Sequence, residues 1–194
     1  MGIPQICVKS YEADDILATL AEHSKKINIP YVGVTQDKDF FQCLVKGKVG
    51  AYHKKKTGWD FFSAMDAEAK WGVKISQTIE WQILCGDVCD NITGANGIGP
   101  VKATQILNTY GDLKTAYENI SELTPAIQKS LKELEPRIDT VRKLVTLVNN
   151  VPGIDVVLDD YETKDFKIDK LGLRKILERN DLLQLENFVL EILC

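Results

Sequence analysis

Apolar positions change period along the chain. Ile3 to Val8 form a short apolar run suited to a buried strand, and Ala13, Ile16, Leu17, Leu20 and Ala21 then recur at the spacing of one helix face. After the break at Asn28 and Pro30, "YVGVT" (31–35) is β-branched and bounded by loop residues, which predicts another strand. Strand, helix and strand in succession predict a βαβ unit and a parallel sheet. "VGAYH" adds a further strand, Gly58 turns the chain, and Phe61 to Trp71 and Ser76 to Cys85 read as helices.

From Gly86 the pattern changes. "GDVCDNITGANGIGPVKATQIL" concentrates glycine in a short loop, and helical periodicity resumes at Val101, Ile106 and Leu107. Amphipathic stretches follow near 112–119, 122–134, 137–149, 169–179 and 181–193, punctuated by Pro125, Pro136, Pro152 with Gly153, and Gly172. The expected division is an α/β core over residues 1–85 and a helical region over 86–194.

Composition narrows the class. A chain of 194 residues, 44% hydrophobic and 27% charged, can bury one good core without a staple. No apolar run approaches the length of a membrane span, and the first residues lack the features of a signal peptide, so the expected compartment is cytoplasmic. Five cysteines without a repeated spacing argue against a disulfide framework. Cys85 and Cys89 lie four apart, but no second pair accompanies them, and they read as structural thiols rather than zinc ligands.

A net charge of -4 excludes a protein that coats nucleic acid by bulk positive charge, but it does not exclude a local basic patch. "KGKVGAYHKKK" (46–56) holds five lysines and no acid, with Tyr52 and His53 among them. It reads either as a solvated hairpin whose lysines protect a strand edge, or as a DNA-facing patch carried by Lys54, Lys55 and Lys56.

The acids fall into three groups: Glu12, Asp14 and Asp15; Asp37 and Asp39; Asp87 and Asp90. The first two follow the expected strands, where ligand-handling loops of open α/β sheets collect. A helix start explains one or two acids in "YEADD", Asp37 can cap the helix after its strand, and Asp87 can cap a turn. Gathered in one crevice, however, five or more carboxylates repel one another until protons or a cation relieve them. Hard oxygen donors suit Mg²⁺ or Mn²⁺, and paired ions of this kind hydrolyse phosphodiesters.

"GANGIGPVKA" (94–103) is the second constellation. Gly94, Gly97 and Gly99 permit close backbone approach, Pro100 stands at the first position of a helix, and Lys102 lies in its first turn. The free N–H groups of such a helix start can hold a phosphate without reading sequence. The motif is similar to a helix-hairpin-helix, whose loop carbonyls also hold a monovalent cation such as K⁺.

In this order and spacing, "YEADD", "TQDKDF", "GDVCDN" and "GIGPVKA" resemble the 5′-nuclease superfamily: the 5′-3′ exonuclease domain of bacterial DNA polymerases, and phage or cellular flap endonucleases. The resemblance covers Met1 to about Leu113 well and the rest more loosely. It implies a PIN-like α/β core with a parallel sheet, followed by a helix-three-turn-helix and a helical C-terminal region. It also implies that Glu12, Asp14, Asp15, Asp37, Asp39, Asp87 and Asp90 serve two or more Mg²⁺ or Mn²⁺ ions. Asp15, Asp37 and Lys38 are then the catalytic candidates, and Gly94, Gly97, Gly99 and Lys102 grip a duplex with a 5′ end, flap or branch.

Family members carry further sequence before the E-A-D-D motif, including a first strand and a basic arch, and Thr93 stands where proline is common. Met1 therefore looks like a position inside a longer protein, and a separate N-terminal polypeptide completing the core is an expected partner. The leading expectation is a structure-selective 5′ nuclease acting on DNA in replication or repair. A binding module for DNA ends or branches, incomplete as a catalyst, is the alternative, and an RNA-cutting relative ranks third.

Overall fold

The computed structural model describes residues 5–55, 58–154 and 170–179. By contact, residues 8–154 form one compact unit, and residues 1–7 group with 155–194 in another. In the first unit the order is α1 (Ala13–Lys26), β1 (Tyr31–Val34), a 3-10 helix (Asp39–Cys43), β2 (Val49–Lys55), β3 (Gly58–Phe62), α2 (Ala64–Trp71) and α3 (Thr78–Cys85). A two-residue hairpin follows, β4 (Gly86–Asp87) and β5 (Ile92–Thr93), and then α4 (Pro100–Tyr110), α5 (Leu113–Glu118), α6 (Pro125–Leu134) and α7 (Ile138–Val145). The second unit contributes α8 (Lys170–Arg179), with an Arg174–Glu178 ion pair of 3.4 Å one turn apart. The expected helix at 181–193 lies outside the described residues.

β1 and β2 pair in parallel, Tyr31 opposite Val49 and Val34 opposite Tyr52, which gives the expected parallel crossing of the sheet. β2 then turns into β3 as an antiparallel hairpin, with Ala51 opposite Phe62 and Tyr52 opposite Phe61. Phe61 and Phe62 are thus strand residues, not the start of a helix. The helix begins only at Ala64, where Ser63 accepts a hydrogen bond from the Asp66 amide and Asp66 accepts one from the Ser63 amide. The predicted strand at Ile3 to Val8 is not formed: Gln5 to Val8 are irregular, and Ile3 lies outside the described residues. A strand exists only through its ladder, and among the described residues nothing pairs with Gln5 to Val8.

Alternation along the strands buries one face of the sheet. Val49 and Ala51 point inward onto Ala18 and Ala21 of α1, Phe40 and Phe41 of the 3-10 helix, and Ala64 and Ala67 of α2. The other face leaves Val32 and Val34 of β1 44% and 61% exposed, beside exposed Tyr52, Trp59 and Phe61. A second apolar cluster is helical, built from Ile83 and Leu84 of α3, Ile106 and Leu107 of α4, and residues of α5, α6 and α7. Trp71 packs against both clusters, with its ring 5.0 Å from Phe41 and stacked 5.2 Å from Trp81.

Three of the helical stretches start or stop short of the periodicity. Ser76 and Gln77 belong to a 3-10 turn before α3, because the Gln77 amide donates to the carbonyls of Leu107 and Gly111 and is tied to α4. Pro125 sets the start of α6 as its first residue. Beyond Val145 the chain leaves α7 and runs extended along α1, where Thr19 and Asp15 take up the amides of Val151 and Val148.

Candidate metal centre and nucleic-acid interface

The acidic groups are positioned by local turns. Glu12 is the N-cap of α1 in an extended conformation, and Asp15, three residues into the helix, accepts a hydrogen bond from the Glu12 amide at 3.2 Å. The other Asp15 oxygen accepts from the Val148 amide at 2.8 Å. Asp37 Oδ1 accepts from the Asp39 amide at 2.8 Å and opens the 3-10 helix; Asp87 Oδ1 accepts from the Cys89 amide at 2.9 Å and shapes the β4–β5 turn. These local bonds occupy one oxygen each of Asp37 and Asp87, whereas both oxygens of Asp15 are engaged by backbone amides.

The second oxygens carry the chemistry. Asp39, Asp87 and Asp90 each place a carboxylate oxygen within 4.8 Å of the other two, although Asp90 is exposed and Asp87 is only 1% exposed. Asp87 Oδ2 is buried, and the Lys38 ammonium lies 2.6 Å from it as an ion pair. Asp39 Oδ1 accepts a hydrogen bond of 2.5 Å from the side-chain amide of Gln82, a buried residue of α3.

Electrostatics tie the three groups into one set. Burial, and then repulsion by Asp37, push the Asp39 carboxyl up to about 6; repulsion from Asp87 adds to this, and the hydrogen bond from Gln82 opposes it. Burial also raises Asp14, reinforced by the charges of Asp37, Glu12 and Asp15 and by a hydrogen bond with Asp37. Asp87 moves the other way: burial works against its charge, but Lys38 and the amides of Cys89 and Asp90 outweigh burial and hold its carboxyl below the usual range. These hard oxygen donors fit a divalent cation.

The glycine turn is rigidly built. Gly86 and Gly94 lie backbone to backbone, so a Cβ on Gly94 would run into the Gly86 nitrogen and the Leu84 carbonyl. Gly97 sits at φ +70 in open space, and Gly99 is the N-cap of α4 with no side chain over the helix start. Arg137 donates to the Thr93 and Gly94 carbonyls, both at 3.3 Å, and Ser130 donates to the Asn96 carbonyl at 2.6 Å. Lys102 folds back to donate to the Gly97 carbonyl at 2.8 Å. A cleft of about 500 Å³ runs along this loop and reaches Asp87, so the turn and the carboxylate cluster share a wall.

The basic patch is a hairpin. Lys54 is exposed on β2 opposite Trp59, Lys55 ends the strand, and Lys56 lies outside the described residues. His53 is not interleaved for contact: its ring packs 4.8 Å from Phe41 and 5.5 Å from Phe62. Sequence reasoning missed Gln82 and Arg137. A single amide inside the apolar run "WQILC" was the available signal for Gln82, whereas Arg137 gave none.

An α/β sheet with carboxylates at its crossing, followed by a glycine-turn helix pair, is the fold of 5′ nucleases. The chain belongs to the 5′-3′ exonuclease family: residues 1–72 match the 5′-3′ exonuclease N-terminal resolvase-like domain, and residues 73–169 match the 5′-3′ exonuclease C-terminal SAM fold. DNA polymerase I of Caldicellulosiruptor bescii is 31% identical over 88% of this chain and 20% of its own length. Flap endonuclease Xni of Colwellia psychrerythraea is 31% identical over 78% of the chain and 51% of its own length. The bacteriophage T5 flap endonuclease, solved as a pseudo-enzyme-product complex with DNA and metal ions, superposes with a TM-score of 0.67 at 20% identity, over 77% of this chain and 54% of that one. The chain thus spans only a fifth to about half the length of these relatives. The comparisons give no support to a separate polypeptide supplying the N-terminal domain.

Proposed function

We propose that this chain is the 5′-nuclease part of a DNA-processing enzyme that hydrolyses phosphodiesters near 5′ ends or flaps, in replication or repair, using Mg²⁺ or Mn²⁺. The observation that carries this reading is the gathering of Asp39, Asp87 and Asp90, with Asp37 repelling Asp39 and Asp14, where Asp87 also lines the cleft of the glycine turn.

Asp39, Asp87 and Asp90 would hold one divalent ion, and Asp14 and Asp37, with Glu12 and Asp15 beside them, a second. Bound ions supply Lewis acidity there, activating water and neutralising charge on the scissile phosphate. The chain's own residues orient the substrate. The uncapped start of α4 and the amides of Gly97 and Gly99 receive a backbone phosphate, and the remaining loop carbonyls are the place for K⁺. Lys102 braces the loop, and Lys54, with Lys55 and Lys56 after it in sequence, adds non-specific attraction. Lys38, paired with Asp87 at 2.6 Å, is a cation beside the carboxylate cluster. A compartment holding DNA, the cytoplasm of a bacterial or phage-infected cell, suits this role, and no helix among the described residues is long and apolar enough to cross a membrane.

A second reading is a DNA end- or branch-binding module that does not cut. It is favoured by Asp15, both of whose oxygens serve backbone amides. An end-labelled 5′-flap duplex, incubated with and without Mg²⁺ beside an Asp37→Ala variant, separates the two. Product that needs both Mg²⁺ and Asp37 supports the nuclease. Binding with no product from either protein leaves the module, and equal product from both sinks the proposed site.

A further inference from the structure

Asp87 is 1% exposed, and its Oδ2 is buried with it. A buried carboxylate needs a compensating cation. The Lys38 ammonium, 2.6 Å from Oδ2, is that cation, while its side chain remains 41% exposed to solvent. Asp87 Oδ2 is also the oxygen left over after Oδ1 has shaped the β4–β5 turn, and Asp87 belongs to the set of three carboxylates gathered within 4.8 Å. The ammonium therefore sits on an atom that a divalent ion would need.

We propose that Lys38 is an internal counter-cation of the carboxylate cluster, which a divalent ion must displace from Asp87 in order to bind there. This rests on the metal reading of the carboxylate cluster given above. Lys38 keeps its proton throughout; one ion pair breaks and carboxylate–cation contacts replace it. The exchange has a thermodynamic consequence. The pair stabilises only the metal-free protein, so whatever stability Lys38 gives that state is subtracted from metal affinity. Half-exposure leaves the displaced ammonium a path into solvent.

Calorimetric titration of Mn²⁺ into the full chain tests this, with wild type, Lys38→Met and Asp87→Asn compared, and urea denaturation of each with and without Mn²⁺. Lys38→Met is expected to bind Mn²⁺ about tenfold more tightly, equivalent to about 1.4 kcal/mol. Its metal-free form is expected to lose a matching amount of stability, while its loaded form matches wild type. If Lys38→Met binds Mn²⁺ no more tightly and is destabilised equally in both states, the pair persists in the loaded protein and the proposal is overturned. If wild type binds no better than Asp87→Asn, the metal reading itself fails first. A measurement on wild type covers a variant that does not fold: amine labelling of Lys38, read by mass spectrometry, is expected to rise on adding Mg²⁺. Unchanged labelling with Mg²⁺ bound contradicts the displacement.

Discussion

The Val148 amide donates a 2.8 Å hydrogen bond to Asp15, a carboxylate 133 positions earlier in the chain. One candidate metal ligand is therefore also the clasp that fastens the segment after α7 onto α1, helped by Thr19, whose hydroxyl accepts from the Val151 amide at 3.1 Å. The two roles separate by substitution. Asp15→Ala removes acceptor and charge together and is expected to cost about 1 kcal/mol of stability in urea denaturation, the usual scale for a hydrogen bond at a half-exposed site. Asp15→Asn keeps an oxygen for Val148 but gives up the acceptor for the Glu12 amide, and is expected to lose less stability than Asp15→Ala. A loss of divalent-ion affinity in Asp15→Asn assigns the charge to the metal; unchanged affinity leaves Asp15 as the clasp alone.

The Gln82 amide holds Asp39 from a nearly dry position in α3. Gln82→Leu fits an apolar surrounding but strips Asp39 of the bond that favours its charged form. Because that bond lowers the Asp39 pKa, its loss raises it further. The expected result is an Mn²⁺-binding midpoint that moves to higher pH, with little change in the far-UV spectrum. A midpoint that stays put shows that Gln82 only fills space.

Asp39 also dictates a pH dependence whose sign can be worked out. Its folded pKa of about 6 lies above the ordinary aspartate value of 3.8, so the metal-free fold favours the protonated acid. Its contribution is intact below about pH 4 and is lost as pH rises through about 6. Asp39→Asn, which never ionises, is therefore expected to be more stable than wild type at pH 7 without metal, with the advantage vanishing near pH 4. Thermal melts of both proteins across that range in a chelator decide it. Divalent-ion affinity of wild type follows the opposite course, rising over the same window as the proton leaves.

These consequences show what was legible in the residues and what was not. The acidic groups and the glycine turn are short contiguous motifs, and their local roles as caps and turns follow from neighbours two or three residues away. Whether Phe61 and Phe62 join a strand or a helix depends on Ala51 and Tyr52 across a hairpin, and propensity alone misplaces them. Gln82 finds Asp39 at a separation of 43 residues, and Val148 finds Asp15 at 133; no spacing rule reaches that far. The strand read from Ile3 to Val8 had the right composition for a buried strand, but composition supplies no hydrogen-bonding neighbour.

The close approach of Gly86 and Gly94 yields a prediction about the DNA side of the cleft. Gly94→Ala places a methyl group against the backbone of Gly86 and Leu84, atoms that cannot rotate away. A loss of about 3 kcal/mol or more is expected in chemical denaturation, in the range of overpacking in a tight interior. Gly99→Ala meets nothing within 4 Å and its φ of -93 suits any residue, so its stability is expected to be unchanged. If Gly99→Ala nonetheless weakens binding of a 5′-flap duplex, close phosphate approach at the α4 start is the reason.

Anomalous diffraction from crystals soaked in Mn²⁺ tests the central claim most directly, because it places the ion without relying on turnover. The account predicts a peak about 2.1 Å from carboxylate oxygens of Asp39, Asp87 and Asp90, with the Lys38 ammonium withdrawn from Asp87. No peak at these carboxylates in fully soaked crystals, with Lys38 still paired to Asp87, would contradict it.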